Sequence, residues 1–212
     1  MLSYILSKAN MLILALGLFL ITLYFATSWS TLLTSHAASE VVAKISEKIS
    51  QKINSEAICS ISSRIPVPRY LSYTEFLGGV GRYFYKIIIT TEEANADYNF
   101  LIIKAVSRRD PSNVIASSSM KTKATIYLFE FQPNEIRDLK ISNKAVIDPQ
   151  AGFTIDPMAT IDALAVVGEI QEGQKFILII PCSTRAGWCE DNLKTAKTLL
   201  HSEGFDSKCL PS

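Results

Sequence analysis

The sequence predicts an α+β protein: an N-terminal transmembrane helix that continues into an amphipathic stalk, then an antiparallel β-sandwich-like domain with a C-terminal helix. Three observations lead there. Between Ala9 and Ser39 there is no Asp, Glu, Lys or Arg. Beyond Gly78-Gly79 the apolar residues leave helical spacing and gather in short aromatic and β-branched runs, the composition of strands. From Asp191 the helical spacing returns. The expected divisions are residues 1–10 as a cytoplasmic N-terminus, 11–33 as a transmembrane helix, 34–60 as a stalk helix, and 61–212 as an extracytoplasmic β-rich domain.

The stretch from Met11 to Ala26 is apolar almost throughout, too uniformly so for a half-exposed surface helix. Extended to Leu33 it spans about 35 Å, enough to cross a hydrocarbon core of about 30 Å with some tilt. Tyr4, Tyr24 and Trp29 suit the two water–lipid interfaces. Lys8 precedes the helix, and no Lys or Arg follows until Lys44. Positive charge is retained on the cytoplasmic side, so the N-terminus is expected inside and the rest of the chain outside. The expected partner of residues 11–33 is therefore the lipid bilayer of the cytoplasmic or plasma membrane. A cleaved signal peptide also has an early Lys, an apolar core and small residues, here Ala26-Thr-Ser28. Its core is usually only about 7–15 residues, however, and helix-forming sequence runs on past Ser28.

From Ser30 to Ala57 there is neither Pro nor Gly. Ala38, Val42, Ile45, Ile49 and Ile53 recur at spacings of three and four and draw one apolar stripe. Glu40, Lys44, Glu47, Lys48, Lys52 and Glu56 fill the other faces. The stripe must be buried, first against its own β-domain, or alternatively by self-association through the stalk. A basic residue abutting the apolar helix at Lys8-Ala9 resembles the leader junction of archaeal type IV pilin precursors. A helix that is apolar first and amphipathic afterwards is similar in layout to type IV pilin-like subunits. The resemblance covers the helix and its N-terminal flank alone, and the acid common early in mature bacterial pilins is missing. It implies a pilus-like or archaellum-like filament subunit, processed near Ala9.

Pro66 and Pro68 end the helical pattern, because proline cannot continue a helix and favours extended chain before it. Strands are expected over Tyr83–Thr91, Tyr98–Val106, Asn113–Ser117, Ala124–Phe131, Ala145–Ile147, Leu164–Ile170 and Phe176–Ile180. The last two flank Gln171-Glu-Gly-Gln174, a hairpin signal. Asp191 to His201 then places Leu193, Ala196, Leu199 and Leu200 on one helical face, with Gly204 as a C-cap.

Cys59, Cys182, Cys189 and Cys209 all follow the apolar segment. An even number of cysteines outside the cytoplasm reads as two disulfides. Of the three pairings, Cys182 with Cys189 and Cys59 with Cys209 is the expected one. The spacing Cys182-x6-Cys189 fits neither a redox C-x-x-C pair nor paired zinc ligands.

No catalytic residue, cofactor site or metal site is expected. Gly78-Gly-Val-Gly81 lacks the following helix and the Gly-Lys-Ser/Thr of a phosphate loop, so it reads as a turn. Asp148, Asp156 and Asp162 could be imagined around a hard cation, but Asp-Pro at 148–149 and 156–157 is ordinary turn chemistry. Arg108-Arg-Asp-Pro111 reads as a polar turn. Tyr70, Tyr73, Phe76, Tyr83, Phe84 and Tyr85 are expected to supply core and rim for the first strand. The two histidines, His36 and His201, come with no identifiable nucleophile. With 21 basic and 20 acidic residues the net charge is +1, which gives nucleic acid no electrostatic hold. The expected role is a non-enzymatic, membrane-anchored surface protein that binds or positions a partner. A filament subunit is the alternative, and an extracytoplasmic enzyme the third.

Overall fold

The computed structural model describes residues 2–54, 59–74, 79–95, 98–130, 140–147, 161–171, 174–181 and 188–202. The first element, α1, runs unbroken over Leu2–Asn54, about 80 Å at the usual helical rise. Its sequence contains no proline and a single glycine, Gly17, so nothing in it favours a kink. The two halves differ in their surroundings rather than in their conformation. Met11 to Leu32 project their large apolar side chains into open space, whereas Ala38, Val41, Val42, Ile45, Ile49 and Ile53 are buried.

Among the described residues eleven strands follow: β1 (Cys59–Val67), β2 (Leu71–Thr74), β3 (Val80–Tyr83), β4 (Tyr85–Asn95), β5 (Tyr98–Ser107), β6 (Val114–Thr122), β7 (Thr125–Glu130), β8 (Lys140–Ser142), β9 (Lys144–Ile147), β10 (Ile161–Gln171) and β11 (Gln174–Pro181). A final helix, α2, covers Trp188–Ser202. The strands form a five-stranded sheet in the order β1-β10-β11-β7-β8, a four-stranded sheet β6-β5-β4-β9 and a ribbon β2-β3.

In the four-stranded sheet the register aligns apolar residues in rows. Ile147, Ile87, Ala105 and Ala116 form one row, and Ala145, Ile89, Ile103 and Ser118 the next. Successive side chains on a strand point to opposite faces, so the odd-numbered residues of β4 and β5 make one buried face. That face, the α1 stripe, Ile65 and Val67 of β1, Leu128 of β7, and Ile177 and Ile179 of β11 share a single core. Central β11 is buried on both sides: Leu178 and Ile180 are also fully buried. The helix α2 packs on β11 and contributes buried Leu193 and Ala196. An uninterrupted apolar run such as 177–180 is what a strand covered on both faces needs.

Several expectations are corrected. The pairings are antiparallel except that of β7 with β11, which is parallel. Alternation of side chains fixes which face is buried and carries no information on strand direction, so the sequence pattern could not show it. Over Ala38–Ile53 the apolar stripe of α1 is part of the core shared with the β-domain. The same burial removes that stripe as a surface for self-association. Residues 59–60 belong to β1, which pairs with β10 from Cys59 onward, rather than to the helix. The expected strand from Tyr83 is divided at Phe84. Tyr83 pairs with Leu71 in the ribbon, and Tyr85 pairs with Ser107 in the four-stranded sheet.

Candidate functional site

The most conspicuous surface is the exposed part of α1. The large apolar side chains from Met11 to Leu32 are between 46 % and 74 % exposed, all round the helix. An aqueous surface of this kind is strongly unfavourable. Three of the polar groups within it bond back to the helix itself. The hydroxyls of Thr22, Thr27 and Thr31 donate to the carbonyls of Leu18, Leu23 and Thr27 at 2.8, 3.0 and 2.9 Å. With backbone amides bonded along the helix and these threonine hydroxyls returned to it, little of its polarity opposes leaving water. The helix is long and apolar enough to cross a membrane.

Where this segment meets the domain, a cleft of about 330 Å³ opens between Ser30, Thr31, Thr34 and Ser35 of α1 and Tyr83, Asn113, Val114 and Ile115. Thr34 donates to the Ser30 carbonyl at 2.8 Å, and Ser35 donates to the Ile115 carbonyl at 3.2 Å. Those donors are occupied, and these lining residues include no carboxylate, imidazole or thiol. The titratable side chain among them is the Tyr83 phenol.

The aromatic cluster separates by role. Tyr85 is fully buried and donates its hydroxyl to the Pro68 carbonyl, and burial pushes its phenol far above the ordinary range. Tyr73 stacks its ring over Gly81, leaving no room for a Cβ there. Tyr70 carries the Arg82 guanidinium 4.8 Å above its ring. Phe84 is 45 % exposed. At the opposite end of the four-stranded sheet from Phe84, the ammonium groups of Lys121 and Lys123 sit 3.8 and 5.5 Å from the Tyr98 ring centre, a cation–π cluster that no sequence pattern announced.

Arg108 to Pro111 forms the start of the β5–β6 turn. Asp110 accepts from the Ser112 amide at 3.0 Å and the Ser112 hydroxyl at 2.6 Å, and these bonds hold its carboxyl below the usual range. Gly79 directly precedes β3, and Val80 and Gly81, expected in a turn, belong to that strand and pair with Thr74 and Tyr73. His36 lies exposed on α1 and His201 exposed near the end of α2. Cys59 opens β1, Cys189 lies in the first turn of α2, and Asp162 is the second residue of β10. Phe76, Gly78, Asp148, Asp156, Cys182, Gly204 and Cys209 lie outside the described residues. Among the described residues no group of three His, Cys, Asp or Glu could hold a metal.

Comparison with known protein families, with curated proteins and with solved structures finds no match to this chain. The physical character of the site must therefore carry the functional reading.

Proposed function

We propose that this chain is a single-pass, membrane-anchored protein with a non-enzymatic binding or structural role, its β-rich domain held on the extracytoplasmic side. One observation carries the reading. A single unbroken helix is embedded in the domain core over Ala38–Ile53 and exposes an apolar surface over Met11–Leu32. A lipid bilayer is the environment that covers such a surface, and the buried half fixes the domain to the anchor without a flexible linker. The charge flanks, with Lys8 before the segment and no further Lys or Arg until Lys44, support an N-terminus inside. An oxidising exterior would allow Cys59, Cys182, Cys189 and Cys209 to form two disulfides.

Alkaline carbonate washing of native membranes, followed by protease treatment of sealed vesicles of known orientation, tests the reading. The chain should stay in the membrane pellet, with the domain cut only from the non-cytoplasmic side. Release by carbonate, or a domain cut only from the cytoplasmic side, would falsify it.

A filament subunit is the second reading, favoured by the layout of α1: copies could cover the Met11–Leu32 surface instead of lipid, after cleavage at Lys8-Ala9. The intact mass of the mature chain separates the readings. A chain starting at Ala9 supports the filament; one starting at Met1 rules out that processed form. A start just after Ser28 would mean a removed signal peptide and no anchor.

A further inference from the structure

One end of the four-stranded sheet lies beside the point where α1 leaves the domain. There the Arg108 amide donates to the Phe84 carbonyl at 3.1 Å, and the Ser107 amide to the Asn113 carbonyl at 3.0 Å. Phe84, the Arg108–Asn113 turn and Val114 are thus gathered on one rim. That rim is level with Ser30–Ser35 of α1, because Tyr83, Asn113 and Val114 line the same cleft as those helical residues. Those same residues close the apolar segment of the helix.

The rim has an unusual surface for one facing water. Among the described residues, the large exposed apolar side chains of the β-domain are Val80, Phe84 and Val114, and Phe84 and Val114 both lie here. Leu32, in the adjacent turn of α1, is 64 % exposed, so apolar surface is present on helix and rim at one level. Beside it stand exposed Arg108 and Arg109. Apolar side chains next to arginines suit the boundary between acyl chains and phosphates. Trp29, 48 % exposed just below the cleft, is the ring type enriched at that depth.

We infer that this rim rests in the headgroup layer of the bilayer crossed by α1, with Phe84 and Val114 dipping below the phosphates and Arg108 and Arg109 contacting them. The inference rests on the membrane-anchored reading. Lipid is favoured over a protein partner because the rim sits where the apolar helix emerges from the domain.

The test uses the full chain with Trp29→Phe and Trp188→Phe as background, reconstituted in vesicles of phosphatidylcholine and phosphatidylglycerol brominated high on the acyl chain. Three reporters are compared: Phe19→Trp for the anchor, and Phe84→Trp and Val114→Trp for the rim. The expected result is a blue-shifted rim emission quenched about twofold or more by brominated lipid, with less quenching when Arg108→Gln and Arg109→Gln are added. Quenching of Phe19→Trp with neither rim reporter quenched overturns the inference and leaves the anchor standing. An unquenched Phe19→Trp overturns the anchored reading, and the inference with it.

Discussion

Ser35 on α1 donates its hydroxyl to the carbonyl of Ile115 on β6, 3.2 Å away, across 80 positions of sequence. One face of the same helix meets β6 again where Ser118 donates to Ser46 at 3.3 Å. The strand offers Ala116 and Ser118 on that side, and such small side chains let a helix lie close.

That closeness sets the first prediction. Ile49→Ala should cost about 2–5 kcal/mol, because a fully buried side chain leaves a cavity between the helix and both large sheets. Ala116→Leu should cost about 1–3 kcal/mol by the opposite fault, overpacking. Denaturation of the detergent-solubilised chain, followed by circular dichroism, measures both; a neutral Ile49→Ala would mean that α1 is not a core element.

Paired substitution Leu18→Arg with Leu20→Arg should strip the chain from membranes. Each arginine costs about 2.5–3.5 kcal/mol at the centre of an inserted helix. The readout is the fraction released by carbonate, and the fold of the β-domain should survive, since neither side chain touches it.

Tyr85→Phe should destabilise the domain by about 0.5–1.5 kcal/mol through loss of the bond to Pro68. The phenol also confers alkaline sensitivity. Its folded pKa is raised by burial, so the stability it contributes is complete below the unfolded value of about 10 and declines as pH rises above it. The Phe variant should lose part of that alkaline decline in melts run at rising pH.

Gly81→Ala should unsettle the β2–β3 ribbon, because the new methyl would meet the Tyr73 ring on the paired strand. Adding Tyr73→Ser should restore most of the loss. Amide exchange across Leu71–Tyr83 checks the coupling.

The β5–β6 turn should respond to acid. The Asp110 carboxyl is held low by Ser112, so the order it gives the turn is present above the unfolded Asp pKa and lost as pH falls through the lower folded value. Exchange of the Ser112 amide should accelerate over that range, and Asp110→Asn should remove most of the response.

Much of this architecture was legible in the sequence, for identifiable reasons. The α1 stripe was readable because Ala38, Val42, Ile45, Ile49 and Ile53 all keep helical spacing, and all five are buried. Strands β5 and β11 showed themselves by dense β-branched and aromatic content. Four strands escaped, among them β3, of which only Tyr83 was expected in a strand. Strand β1 follows helix-like sequence and contains Pro66; β2 and β8 are short, with four and three residues, and depend on their partners rather than on local composition. The parallel β7–β11 pairing and the change of sheet at Phe84 were invisible because they concern neighbours, not spacing. The rim beside the cleft was hidden for the same reason. Arg108, Phe84 and Ser35 are far apart in the chain, and only the folded register brings them to one level.

A helix without a joint also has a mechanical meaning. From residue 33 to Ile53, α1 is clamped along about 30 Å of the domain, and its other half is immersed in whatever medium surrounds Met11–Leu32. A tilt of about 20° in that medium sweeps the clamped end sideways by roughly 10 Å. Bilayer thickness would thereby become an angular setting for the β-domain, without any hinge having to move.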